Sequence, residues 1–145
     1  MKQKIKPTKY ITNMKYFKYL NYLFWHKWYV MLECFDEGLY WRGIIHDLSK
    51  FMPNEFFPYM SFFYGKKEEI EQSEVGYFKS LKTGNDKYDR ACFIHEKRNM
   101  HHWQWWIQSN GEALEIEEPY LTEMICDWVG AAKAQGHFLQ TTINI

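Results

Sequence analysis

Between Asn13 and Phe35 the chain carries Phe17, Leu20, Phe24, Trp28, Met31 and Phe35 at intervals of three or four residues, the spacing of one helix face. The other side of this segment carries Tyr19, Leu23, His26 and Val30, so the helix is apolar nearly all round. A helix of that kind is predicted to run through the middle of a bundle. Asn13 suits its N-cap and Gly38 its stop. No segment sustains the alternation of a strand, so the fold class is all-α. At 145 residues the chain fits one domain around one core.

The remaining elements follow from local signals. A short helix is predicted from about Leu39 to Lys50, and Pro53 opens a third that Pro58 kinks or ends. The charged stretch from Gly65 to Lys87 reads as a loop broken by one helical piece. Helical character resumes at Asp86 or Asp89 and carries through to His95. Asn99 can cap a further helix from Met100 to Gln108, and the sequence SNGE ends it. Pro119 opens the last helix, with a stripe of Leu121, Met124, Ile125, Trp128, Val129 and Ala132, and Gly136 closes it. The chain thus divides into a lysine-rich arm over 1–12, a helical domain over 13–137 and a tail over 138–145.

The formal net charge is zero, which removes any bulk electrostatic case for nucleic acid or membrane. The charges are nevertheless segregated. Lys2, Lys4, Lys6, Lys9, Lys15, Lys18 and Lys27 all precede the first acid, Glu33, while Glu112, Glu115, Glu117, Glu118, Glu123 and Asp127 gather near the other end. The two groups can neutralise each other in the fold or in an oligomer, or stand solvated without a role. No apolar run reaches the roughly 18 residues of a membrane span, since His26 and Lys27 interrupt the richest stretch. The N-terminal lysines precede no apolar run with a cleavage site. Cys34, Cys92 and Cys126 stand singly, as core-filling thiols do in a reducing compartment, so a soluble cytoplasmic protein is expected. Aromatic residues form 20% of the chain, enough that most must pack in the core or in a subunit interface.

The chemistry concentrates in RGIIHDLSKF, Arg42 to Phe51. It places His46, Asp47, Ser49 and Lys50 directly behind Ile44 and Ile45. A buried His-Asp pair costs free energy unless a hydrogen bond, a salt bridge or a metal ion satisfies it. His26 lies on the central helix, and His95, His101 and His102 cluster in HEKRNMHHW. Asp127 sits inside the last helix among Gly130, Ala131 and Ala134, small residues that let another helix or a ligand approach. A lone helical histidine is more often a hydrogen-bonded core residue than a ligand, but this set of imidazoles and carboxylates suits first-row divalent metals.

The order His26, then His46-Asp47, then Asp127 on a helical frame resembles the HD superfamily of metal-dependent phosphohydrolases. The doublet with Leu48-Ser49-Lys50 is similar to the HD-x-x-K form of many of its phosphodiesterases. The likeness covers residues 20 to 136 and is nearest to short HD-like proteins of bacteria and their phages that share HDLSKF-type and N-x-H-H-type stretches. It implies an HD-like bundle with a first metal held by His26, His46, Asp47 and Asp127. It also implies that Asp47 can bridge to a second ion held by histidines from the middle of the chain. Mn, Fe, Zn, Co and Ni are all admissible, as one ion or two.

His95 and His102 remain second-ion candidates whether HEKRNMHH is one helix or is broken at Asn99; His101 is the less certain of the three. Lys50 can hold a phosphate oxygen or pair with Asp47. Arg98 and Lys97 are candidate phosphate contacts or solvated charges. Trp103 and Trp106 are spaced for a core stripe, and His137 reads as a surface residue. The expected activity is hydrolysis of a nucleotide or small phosphoester, with Asp47 and Lys50 as the catalytic pair. Some HD nucleotidases carry an acid three residues after the doublet; Lys50 in that place favours a diester or anhydride substrate. A di-iron oxidase on the same fold is one alternative. A binding module without turnover, serving a protein or nucleic-acid partner, is the other.

Overall fold

The computed structural model describes residues 9–65 and 83–143. Five α-helices form these parts: α1 (Lys9–Asp36), α2 (Tyr40–Ile45), α3 (Pro53–Tyr64), α4 (Asp86–Arg98) and α5 (Tyr120–Ile143), with 3-10 turns at Leu48–Phe51 and Trp103–Trp106. There is no strand among the described residues, and one isolated bridge, Ile107 with Ala113, closes a loop around Gly111. The protein is an all-α single-domain bundle, with α1 and α5 as its long axis.

Helix α1 turns the face opposite to the expected stripe inward. Tyr19, Leu23, His26, Val30 and Cys34 are buried, whereas Phe17, Leu20, Phe24 and Trp28 are exposed. The expectation of a central helix covered all round is therefore corrected: α5, α2 and α3 pack against part of its circumference only. The last helix is partly inverted: Met124 of the expected stripe is buried together with Cys126, Asp127, Gly130 and Ala134, while Ile125, Trp128 and Val129 face outward. Hydropathy favoured the larger apolar residues, but a close crossing selects the smaller ones. A Cβ on Gly130 would lie 2.7 Å from the backbone nitrogen of Val30, so only glycine permits this approach of α5 to α1. Cys34 and Cys126 meet beside it as free buried thiols, and burial, with its neighbour Cys126 adding to it, pushes the Cys34 thiol up to about 12.

Several predicted boundaries move. Helix α1 already runs from Lys9, inside the expected arm; residues 1–8 lie outside the described residues, as does most of the expected loop, 66–82. Pro58 lies within α3 without ending it. Asn85 caps α4 by accepting the Tyr88 N–H at 3.0 Å, and Asn99 ends that helix. In place of a Met100–Gln108 helix there is only the short 3-10 turn, which buries Trp106 and leaves Trp103 half exposed. Gly136 does not close α5, and His137 is no surface bystander: its ring lies 4.1 Å from that of Trp25.

Candidate metal centre

The HD doublet does not lie on a helix. Helix α2 ends at Ile45; His46 turns extended at ψ 129°, and Asp47 takes the left-handed conformation at φ 55°. Aspartate tolerates that region better than most residues. Lys27 stabilises the break by donating to the carbonyls of Ile44 at 2.5 Å and His46 at 3.0 Å, which the interrupted helix leaves open. The kink aims the His46 ring at α5 and sets the Asp47 carboxylate between two groups of histidines. The expected single helix from Leu39 to Lys50 is thus replaced by a turn that does what adjacent helical positions, about 100° apart, do poorly.

The first group surrounds Asp47 Oδ2. His26 Nε2 lies 3.2 Å and His46 Nε2 3.4 Å from it, and both nitrogens stand 3.2–3.3 Å from Asp127 Oδ1. The second group surrounds Asp47 Oδ1, with His95 Nε2 at 3.3 Å and His101 Nε2 at 3.1 Å. His102 completes this second set, and in each set of four one atom per residue lies within 4.8 Å of all the others. Metal bonds of about 2.0–2.1 Å place adjacent ligand atoms roughly 2.9–3.4 Å apart, which is the separation seen around Asp47. All seven expected ligands therefore converge, including the least certain, His101, and six of them are buried.

The outer contacts decide which ring nitrogen is free to bind. His95 Nδ1 donates to Glu55 Oε2 at 2.7 Å, while His46 Nδ1 and His101 Nδ1 donate to Glu123 Oε1 at 3.0 and 3.2 Å. An imidazole that donates from Nδ1 turns Nε2 inward as a lone pair, the arrangement usual behind a metal ligand. His46, His101 and Glu123 also form a third close set, which is better read as this outer layer because both rings direct Nε2 at carboxylates of the inner one. Asp47 Oδ1 and the Nε2 atoms of His95, His101 and His102 are buried without a hydrogen-bond partner. Buried polar atoms rarely remain so, and a cation between them would satisfy all four together. The donor set thus fits a divalent ion, and these buried groups could hold one.

Electrostatics shows how the metal-free chain manages. Burial alone would raise the Asp47 carboxyl, but the neighbouring His46, Lys50 and His95, with the His101 ring 3.1 Å away, hold it well below the usual carboxylate range. Burial would likewise raise the Asp127 carboxyl, but the hydrogen bonds from His26 and His46 outweigh it and hold the group below the usual carboxylate range. His46, His95 and His101 are raised against the pull of burial by the same carboxylates. His102 behaves oppositely: burial and its neighbours His101 and His95 push it down to about 3, so it remains a neutral ring. Lys50 Nζ rests 2.5 Å from Asp47 Oδ2 and supplies fixed positive charge.

Lys97 and Arg98 are not brought to the two sets. Lys97 donates to the Gln104 carbonyl at 2.7 Å, and Arg98 pairs with Glu55 Oε1 at 2.9 Å, behind His95. The outer-layer residues Glu55 and Glu123 escaped the sequence reading. Glu123 lies one helical turn before Asp127, a legible signal for a shared face; Glu55 looks like any acid in the first turn of a helix. Ser49 joins its network, donating to Glu55 at 3.0 Å and accepting from Asn99 at 3.0 Å.

Fold and site together define a helical bundle built around two histidine–carboxylate donor sets that share one aspartate. The family model of DUF5662, described as a family of unknown function, matches residues 15–144, and the chain belongs to that family. No curated protein and no solved structure matches it. No helix among the described residues is long and apolar enough to cross a membrane.

Proposed function

We propose that the chain is a metal-dependent phosphohydrolase of the HD kind, acting on a nucleotide or another small phosphoester, with diesters and anhydrides preferred. The observation that carries this reading is Asp47, whose two oxygens face separate sets of ring nitrogens while its carboxylate touches Lys50. A divalent ion supplies Lewis acidity and lowers the pKa of the water it holds, which makes water a nucleophile at neutral pH. His26, His46, Asp47 and Asp127 would hold one ion, and Asp47, His95, His101 and His102 a second.

The chain's other residues do the positioning. Glu123 and Glu55 keep three imidazoles in one tautomer with Nε2 inward. Burial of the donor atoms keeps bulk water away, so charges act through a low dielectric. Lys50 is the cation nearest the shared carboxylate. With ions held by Asp47, the Lys50 ammonium would be available to a phosphoryl oxygen as negative charge accumulates there.

The test is a substrate panel on protein loaded separately with Mn, Fe, Zn, Co and Ni: a phosphate diester, a monoester, cyclic nucleotides, and nucleoside di- and triphosphates. Metal-dependent release of phosphate or of a nucleotide product, abolished in Asp47→Ala, is expected. Bound metal with no turnover on any of them would refute the reading. Five histidines among seven donors also suit iron, so an iron-loaded protein that consumes oxygen would favour the oxidase alternative.

A further inference from the structure

We propose that the outer face of α1 is the interface of a homodimer, in which two copies of the helix pack antiparallel. The face is long, apolar and patterned. Phe17, Phe24 and Met31 recur every seven residues, as do Met14, Asn21, Trp28 and Phe35, and the two series interleave at three and four residues. This is the a/d seam of a coiled coil, extending about 30 Å along the helix. Phe17 is 73% exposed, Phe24 58% and Trp28 43%, so the middle of the seam has no partner within the described chain. Beside it a groove of ≈ 470 Å³, lined by Leu20, Phe24, Lys27, Trp28, Met31 and Phe51, runs between α1 and the turn after the HD doublet.

Charge selects the occupant and its direction. Lys18 and Asp36 are both exposed and are 18 residues apart, five full turns, so they lie on one flank of the seam. In an antiparallel pair centred on Phe24 and Trp28, the Lys18 end of one copy runs beside the Asp36 end of the other. A parallel pair would instead put the Lys18–Asp36 flanks of the two copies on opposite sides of the seam, where neither charge meets its opposite. Asn21 is the sole polar residue of the seam. A membrane surface would also accept aromatic residues beside lysines, but it gains nothing from an acidic terminus.

The test is the mass of the full chain in solution, by sedimentation equilibrium at tens of micromolar. Twice 17.8 kDa is expected for the wild type. Phe24→Glu should return the mass to one chain with its helical circular dichroism unchanged, because Phe24 is 58% exposed and belongs to neither buried core cluster. Lys18→Glu and Asp36→Lys should each weaken the dimer severalfold, and the double exchange should restore it. A monomeric wild type overturns the proposal, including one that sediments with anionic vesicles. So does a dimer indifferent to Phe24→Glu, and a double exchange that remains weak overturns the antiparallel arrangement.

Discussion

Asp47→Asn separates a metal centre from a polar core more sharply than any other change. The substitution keeps the shape of the side chain and removes the charge shared by both donor sets. His26 and His46 lie within 3.4 Å of Oδ2, His95 and His101 within 3.3 Å of Oδ1, so both ions should be lost together. Metal content should fall at least tenfold. In the wild type, each ion at a hundred times its dissociation constant would add about 2.7 kcal/mol to stability. For a chain of this size that is roughly 8–10 °C of melting temperature, which a chelator should remove. The variant should start lower, since Lys50 and three raised histidines lose a counter-charge. Breaking such a buried pair costs about 3–5 kcal/mol, at the lower end here because the histidines can shed their protons. Its chelator response should be nil. The assay is elemental analysis with paired thermal melts, with and without chelator. A folded Asp47→Asn protein with wild-type metal content, or a wild type that takes up none of the five metals, would refute the reasoning.

The two donor sets should part company in Asp127→Ala and His102→Ala, each retaining about one metal per chain if the wild type holds two; unchanged stoichiometry in both would dismiss them as ligands. Lys50→Met keeps the apolar stem, so metal should stay while phosphoester turnover drops on the order of tenfold to a thousandfold; lower stability with intact turnover would make Lys50 a structural partner of Asp47. Gly130→Ala should cost about 1–3 kcal/mol in denaturant unfolding, since its Cβ would meet the Val30 side chain at 2.5 Å and, behind it, the Val30 backbone nitrogen at 2.7 Å, which no rotamer change relieves; a neutral result would mean that the helices can separate freely. In the metal-free chain the raised histidines contribute stability fully below their unfolded pKa near 6.5 and lose it as pH rises through their higher folded values, whereas the depressed carboxylates contribute above about 4 and lose it in acid. Metal-free melts should therefore peak between these limits, and a melting temperature that climbs steadily to pH 9 would contradict that balance.

The ligands were more legible than the framework that carries them. Histidine and aspartate declare their chemistry one residue at a time, and His26, His46, Asp47 and Asp127 stand in a recognisable order. The inward face of α1 did not declare itself, because hydropathy ranks Phe17, Phe24 and Trp28 above Tyr19, Val30 and Cys34 and cannot tell a core from a surface awaiting a partner. The break at Asp47 was equally hidden: nothing in IIHDLSKF marks a helix end as a glycine or proline would. Its cause is tertiary, in Lys27 from α1 accepting the role of donor to the Ile44 and His46 carbonyls. Where packing of distant segments fixes a backbone angle, local propensity yields to it.

The charges buried around the doublet explain why Glu55 and Glu123 belong to the site although neither faces its centre. Asp47 and Asp127 are two carboxylates within reach of the same ring nitrogens, and Glu55 and Glu123 add two more directly behind the rings. Four buried negative charges require compensation. Lys50 offsets Asp47 from one side, while Arg42, at 2.9 Å from Glu123, and Arg98, at 2.9 Å from Glu55, neutralise the outer pair from the half-exposed edge. Three cations against four carboxylates thus leave one negative charge of the inner pair uncompensated. Protons on His46, His95 and His101 can fill that deficit, but His102, held neutral, cannot join them. A divalent ion in each set would replace those protons and use all of the inward nitrogens, so metal uptake should release protons to the medium. Titration in weakly buffered solution would measure them, and uptake with no proton release would mean that the histidines were already neutral and that the inner carboxylates are balanced in some other way.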